Sequence, residues 1–267
     1  MYCGGSRMSA LPVVTALALI FAATASADEW HKHWGVSGSP ELRVYTNDAA
    51  ITVEAAGDGA IDASLITRGF TIGSTGVQVT EHQSGNAVDI NVKVPSMHFS
   101  FGDHSVELRV RVPQKLSAEV HTGDGSVKLY GLHGTLRADT GDGSVRGEQL
   151  DGSLEARSGD GSVHVDGRFD HLVLHTGDGS VAVNALRGSR VATDWKLETN
   201  DGSVRLVVPR DLAADVELST GDGSIHSDLP LTIEGKHVGH QMSGKLNGGG
   251  PLLRVRTGDG SITISSI

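Results

Sequence analysis

Residues 136–148 read Leu-Arg-Ala-Asp-Thr-Gly-Asp-Gly-Ser-Val-Arg-Gly-Glu. On both sides of the central Gly-Asp-Gly-Ser, residues alternate with a period of two, which is the pattern of β-strands. Aspartate can bond nearby backbone N–H groups in a turn, and a glycine on either side of it permits positive φ angles. We therefore predict a strand, a turn and a second strand, with the turn closed by aspartate and its glycines at positive φ.

The Asp-Gly-Ser of this stretch, followed by Val or Ile, occurs seven times. The first three intervals are 18 residues each and the later ones are 23, 21 and 37 residues, with aspartates at Asp124, Asp142, Asp160, Asp178, Asp201, Asp222 and Asp259. A short fixed period indicates one structural unit stacked on copies of itself. Equivalent positions also carry hydrophobic residues of similar size. We predict an all-β fold, a single-stranded parallel β-solenoid (β-helix) with about 18 residues per coil.

An antiparallel sandwich is the alternative fold, because Asp-Gly is also typical of type I′ turns in β-hairpins. A sandwich does not by itself explain three equal intervals or the matched residue sizes. The solenoid is therefore the favoured interpretation.

The chain divides into four segments. Residues 1–27 have the features of a signal peptide: the charge of Arg7, an apolar run at 11–23 and an Ala-Ser-Ala cleavage pattern ending at Ala27. Residues 28–39 are a lead-in, and 40–112 form an N-terminal β region that starts or caps the stack. Residues 113–267 form the regular solenoid, with an inserted loop near 229–251.

Composition limits the compartment and the partners. The single cysteine, Cys3, lies in the expected signal peptide, so the mature domain is held without disulfides. The net charge of −10 and the lack of a long basic run argue against nucleic acid as a partner. No second long apolar run follows, so we expect no transmembrane segment after signal removal. The expected location is outside the cytoplasm: the periplasm, the cell surface or the medium.

The Thr-Gly-Asp-Gly-Ser-Val units resemble a bacterial family of domains of unknown function that carries the label of adhesins. Further matches are Val112-Pro113 before Leu-Ser-Ala at 116–118, and Leu-Asn-Gly-Gly-Gly at 246–250 before the last unit at 256–262. The resemblance runs from about Glu41 to Ile267. It implies a β-solenoid at the cell envelope, of either handedness, and provides no catalytic residues to carry over.

The seven aspartates are the candidate binding residues. In stacked coils they would form a ridge with carboxylates ~4.8 Å apart, where neighbouring charges repel by about 1 kcal/mol in water. Turn N–H groups, the basic residues beyond the turn, or calcium could relieve this repulsion. Calcium-binding nonapeptide repeats have a nine-residue half-period, which this chain does not follow. We expect self-capped turns and no cofactor, with a calcium-stabilised scaffold as the alternative.

Other site chemistry has little support in the sequence. The 13 histidines are scattered, without a metal-ligand spacing. Nucleophile elbows, phosphate loops and zinc signatures are absent from the sequence, and a carbohydrate-active β-helix enzyme is the weaker alternative. The sequence predicts an exported, non-catalytic protein that binds an envelope glycan, a peptide or another protein.

Overall fold

The structure is a computed structural model, which describes residues 27–57, 59–96, 104–230, 232–233 and 240–267. All regular secondary structure in these residues is β, which confirms the all-β prediction. Among them we find no helix with the length and apolar character needed to cross a membrane. The expected signal peptide lies outside the described residues, apart from Ala27.

The described strands form one sheet. Their bounds are β1 Ala27–Gly35, β2 Glu41–Thr46, β3 Ala50–Ala56, β4 Ala60–Arg68, β5 Gln78–Ser84, β6 Ala87–Lys93, β7 Ser105–Pro113, β8 Lys115–Thr122, β9 Val127–Tyr130, β10 His133–Thr140, β11 Val145–Ser158, β12 Val163–Thr176, β13 Val181–Ala185, β14 Trp195–Thr199, β15 Val204–Val208, β16 Ala214–Thr220, β17 Ile225–Ser227, β18 Thr232–Ile233, β19 Gln241–Leu246, β20 Leu252–Thr257 and β21 Ile262–Ser266.

Burial alternates along these strands, as the period of two predicts. In β10, Leu136, Ala138 and Thr140 are buried while the residues between them are half-buried. The buried residues of successive strands meet in one continuous hydrophobic core, which includes Phe169 and Trp195 at an edge-to-face angle of 82°. Removal of these side chains from water is the main force that holds the strands together.

Strands that precede equivalent turns pair in parallel and in register. Thr122 of β8 pairs with Thr140 of β10, Thr140 with Ser158 of β11, and Ser158 with Thr176 of β12. Each of these partners is 18 residues from the next. We call this parallel-paired series the stack. Its pre-turn face consists of β6, β2, β8, β10, the second halves of β11 and β12, β14, β20 and β16.

Strands that follow the turns form the post-turn face of the stack. The strands on this face are β7, β3, β9, the first halves of β11 and β12, β13, β15, β21 and β17. The two halves of β11 and β12 are separated by register shifts, at Gly147/Leu150 and Gly152/Ser153. Such irregularities bend a strand, and here they accompany its passage from one face to the other.

The sheet is mixed, so the prediction of a purely parallel arrangement is wrong for the chain as a whole. Antiparallel pairs lie beyond the parallel strands: β5 with β6, and β1 with β4 and β4 with β7, at one end. At the other end β19 pairs with β16 and with β18. An open sheet end leaves unpaired N–H and C=O groups. These antiparallel pairs extend the sheet and cover the ends of the stack. Neighbouring chain segments can pair in this way only when they run antiparallel.

The order of the coils also differs from the order of the sequence. Leu253 of β20 pairs with Trp195 of β14 on one side and with Val216 of β16 on the other. The last two strands of the chain therefore lie between coils that are consecutive in sequence. Strand β19 pairs with the edge of β16 that faces away from the stack. The other edge of β16, which faces the stack, therefore pairs with β20. Reading the stack in sequence order is wrong at this point.

The turn glycines are needed for close packing and not for an unusual φ. None of the glycines in the repeated Gly-Asp-Gly-Ser turns has a positive φ, so that prediction is wrong. A Cβ on Gly143 would instead lie 2.1 Å from the carbonyl oxygen of Gly125, and one on Gly161 would lie 2.1 Å from that of Gly143. Each turn rests directly on the backbone of its neighbour, in a space too small for any side chain.

We expect Gly143→Ala to lower the free energy of unfolding by about 3 kcal/mol, which is the upper end of the usual cost of an overpacked substitution. The added methyl group can be accommodated only if the backbone at Gly125 moves. Gly57→Ala is the matched control, since a Cβ there meets nothing within 4 Å. Its stability should stay within about 0.5 kcal/mol of the wild type, apart from a small stabilisation because alanine lowers the entropy of the unfolded chain. Urea unfolding of both variants measures the difference. Equal stability of the two variants would contradict the close-packed turn.

Candidate functional site

A buried hydroxyl before each turn holds the turn to its neighbour. The Thr140 hydroxyl donates to the carbonyl oxygen of Gly125 at 2.8 Å and accepts from the N–H of Gly143 at 3.2 Å. The Ser158 hydroxyl makes the same two bonds one turn further, to Gly143 and Gly161. The hydroxyl thus links its own turn to the one beneath it. The other residues of this hydroxyl column are Thr122, Thr176, Thr199, Thr257 and Thr220, all buried.

The backbone N–H groups of the turns are also bonded between coils. The N–H of Gly141 donates to the carbonyl oxygen of Gly123 at 2.6 Å, and the N–H of Asp142 donates to the same oxygen at 3.3 Å. The bonds that close the described turns therefore come from the hydroxyl column and the backbone. The predicted bond from the aspartate carboxylate to its own turn is not among them.

The structure brings the seven predicted aspartates onto consecutive turns of one column. All seven are exposed, and in stack order they are Asp124, Asp142, Asp160, Asp178, Asp201, Asp259 and Asp222. We call this column the aspartate ridge. Asp48 lies on the next turn beyond Asp124, and partial burial, followed by the negative charge of Asp124, raises its pKa. In the part of the chain that the structure describes, no three His, Cys, Asp or Glu side chains converge into a group able to hold a metal ion.

A row of alternating charge crosses the pre-turn face. Arg137 bonds Glu155 of the next strand at 3.1 Å, and Arg254 bonds Glu217 at 2.9 Å. The alternation breaks where Lys196 neighbours Arg254, because the last coil is inserted there. We call this the charged row, and in stack order it consists of Asp89, Arg43, Glu119, Arg137, Glu155, Val173, Lys196, Arg254 and Glu217.

A second row lies between the charged row and the turns, and sequence reasoning missed it. Each member is the residue directly before the turn threonine or serine, or pairs with such a residue. That fixed offset was the signal that could have revealed it. In stack order its first eight members are Asn91, Tyr45, His121, Asp139, Arg157, His175, Glu198 and Arg256. We call these eight the planar row because each ends in a flat polar or aromatic group; the ninth position, on β16, is Ser219.

The planar row begins in a depression of the surface. Its lining comprises Tyr45, Thr46, Asn47, Asn91, Val92, Lys93, His121 and Gly123. The Asn47 amide bonds the backbone N–H and carbonyl of Val94, both at 2.8 Å, which fixes the wall of the depression. Tyr45 and His121 present tilted rings, with centroids 6.2 Å apart.

The post-turn face carries the predicted basic residues in register. We call this series the basic row, including the uncharged positions within it. In stack order it consists of Lys128, Arg146, His164, Ala182, Arg205, Thr263 and His226. Arg146 is paired with Glu148 at 2.6 Å. The row therefore runs beside the aspartate ridge, as the sequence indicated.

An ion cluster lies where the coils bend away from the pre-turn face. Arg168 bonds both carboxylate oxygens of Asp151 and one of Asp170, and Arg190 bonds Asp170 at 3.0 Å. Hydrogen bonds from Arg168 lower the pKa of Asp151. These groups neutralise one another and connect coils, which is the behaviour of a structural cluster.

The family profile of Toastrack DUF4097 matches residues 40–265. The chain belongs to this family. The match covers most of the chain and agrees with the resemblance to an adhesin-like family of unknown function. It assigns no role to the Thr-Gly-Asp-Gly-Ser turns.

Other comparisons find more distant likenesses. Among solved structures, a putative cell adhesion protein from Clostridium sporogenes is 13% identical, with 91% of this chain and 100% of that chain covered and a TM-score of 0.43. A putative adhesin from Parabacteroides merdae is 10% identical, with 90% and 96% covered and a TM-score of 0.41. A protein from Parabacteroides distasonis described as a putative lipid binding protein is 14% identical, with 91% and 98% covered and a TM-score of 0.39. No curated protein matches the chain.

We expect Thr140→Val to cost about 1–3 kcal/mol of unfolding free energy, because the similar shape of valine leaves the turn N–H and carbonyl without their hydroxyl partner. Thr140→Ser should cost less than about 1 kcal/mol, since a serine at 158 makes the same bonds one coil away. Urea unfolding with parallel far-UV spectra measures both. If the valine variant were as stable as the serine variant, the hydroxyl column would not stabilise the stack.

Proposed function

We propose that the protein is an exported, non-catalytic binding protein of the bacterial cell envelope, built as a solenoid with about 18 residues per coil. The observation that carries this proposal is the pre-turn face, where two rows of polar side chains run in register across successive strands. The 18-residue register from β8 to β12 supports the solenoid description. Such a surface offers regularly spaced contacts to a repetitive partner, as the extended faces of repeat proteins do.

The arrangement of the acids supports a binding role over a catalytic one. The aspartate ridge repeats one exposed carboxylate per turn, and the acids of the charged row mostly face arginine or lysine neighbours. Pairs of catalytic carboxylates typically lie in two different surroundings, whereas the ridge repeats the same exposed surroundings at each turn. In our proposal the ridge carboxylates serve the solubility of the turns, and the partner is an envelope glycan or protein and not a nucleic acid.

We expect the purified protein to be retained by cell-envelope fractions of the bacterium that produces it. The double variant Asp142→Asn, Asp160→Asn should fold and bind with less than a threefold loss, because these carboxylates make no bond that closes a turn. Pull-down and thermal melting of both proteins measure retention and folding. Failure of the wild-type protein to bind any envelope component would contradict the proposal. Hydrolysis of a substrate in a polysaccharide turnover screen would show instead that the protein is an enzyme.

We also propose that the protein folds and binds without a metal ion. We expect the same melting temperature, within about 1 °C, in excess chelator and in millimolar calcium, because a ligand that binds only the folded state would raise it. Differential scanning calorimetry gives both values. A calcium-dependent rise that is lost in the Asp142→Asn, Asp160→Asn variant would instead establish a calcium-stabilised scaffold.

A further inference from the structure

Tyr45 is unusual among the aromatic side chains of this protein. Of the described Phe, Trp and Tyr side chains it is the most exposed, with 37% of its surface accessible. Its ring lies in the depression at the start of the planar row, beside the tilted ring of His121. Exposed aromatic rings with a polar end are typical of recognition surfaces, since one part of the ring packs and the other donates hydrogen bonds.

The polar groups around Tyr45 are available to a ligand. Among the described residues, the side chains of Asn91, Lys93 and His121 have no hydrogen-bond or ion-pair partner, although all three line the depression. Burial, then the negative charge of Glu119 and a hydrogen bond to that carboxylate, raise the pKa of Tyr45. Because Asn47 is tied to the backbone of Val94, the wall that holds these groups is preorganised.

From this depression we propose that a saccharide-binding subsite extends into a binding path for a neutral linear glycan along the planar row. The inference rests on the proposed binding function and names its ligand class. One sugar ring packs its C–H face on Tyr45, while Asn91, Lys93 and His121 bond its hydroxyl groups. The following rings lie over the flat groups of Arg157 and His175 on adjacent strands, and of Arg256 two strands beyond His175.

Two features of the planar row suit a chain of sugar rings. Successive members are ~4.8 Å apart, so eight of them extend over about 30 Å. The two carboxylates are held in place from the charged row, since Arg137 bonds Asp139 at 2.8 Å and Lys196 bonds Glu198 at 2.9 Å. The row therefore contains two fixed acceptors among planar donors, and both are groups that fix the orientation of a bound polar ligand.

The charge of the pre-turn face favours a neutral ligand over a charged polymer. The charged row contains four acids and four bases, and the planar row contains two of each, although the whole chain carries a net charge of −10. A balanced face gives little long-range attraction to a polyanion or a polycation. The basic row on the other face is the surface that a polyanion would prefer.

Calorimetric titration of the purified protein with cellohexaose, chitohexaose and hexagalacturonate tests this inference. We expect at least one of the two neutral hexamers to bind more tightly than its own dimer and more tightly than the charged hexamer. Tyr45→Ala should weaken that binding about tenfold, the effect of about 1.4 kcal/mol. Tyr45→Phe, which keeps the ring, should weaken it less than threefold. Tyr130→Ala, on the post-turn face, is the matched control and should leave affinity unchanged.

The melting temperatures of all three variants report whether they fold, and folded proteins with small changes are expected for the Tyr45 variants because 37% of its surface is accessible. The inference is overturned if neither neutral hexamer binds, or if Tyr45→Ala binds them as the wild type does. Preferential binding of hexagalacturonate, unaffected by Tyr45→Ala, would overturn it too. If the envelope fractions still retain the protein in any of these cases, the proposed binding function stands with a different ligand or surface. If the envelope fractions do not retain the wild-type protein, both the proposed binding function and the glycan inference are contradicted.

Discussion

The structure depends on how closely the backbone of one turn approaches that of the next. At Gly143 the space beneath the Cα holds the carbonyl oxygen of Gly125, and a methyl group would overlap it. This approach lets the Gly141 N–H reach the neighbouring turn and lets the hydroxyl of Thr140 bridge two coils. A slip of one residue would place side chains where glycines are required. The turns therefore fix the register of the stack.

That register has consequences well beyond the turns. Because Thr140 pairs with Ser158, the residues before them, Asp139 and Arg157, also lie side by side. The same relation brings Tyr45 beside His121. A motif that appears to be only structural thus determines which surface residues become neighbours, and the rows of the pre-turn face follow from it. The family match places this architecture among Toastrack domains, while the choice of surface residues is a property of this chain.

Much of the fold could be predicted from the sequence, because its main signals are local. Alternation identifies strands, and the 18-residue interval correctly predicts the pairing of β8, β10, β11 and β12. The antiparallel ends and the inserted last coil depend on which edge is free after the other strands have paired, which no local pattern contains. The aspartate ridge could be predicted because the same residue recurs at each turn. The planar row could not, because Tyr45, His121 and Arg157 share a position and a shape but no residue identity.

Amide hydrogen exchange at the turns tests the central claim most directly. The N–H groups of Gly141 and Gly159 belong to exposed residues, yet each donates to a neighbouring turn at 2.6 Å. Exposed loops normally open at little free-energy cost, whereas amides bonded within a cooperative core exchange only on large-scale opening. Coil-on-coil packing predicts that these turn amides exchange as slowly as those of β10 and β11. Exchange at the rate of an unstructured loop would contradict it.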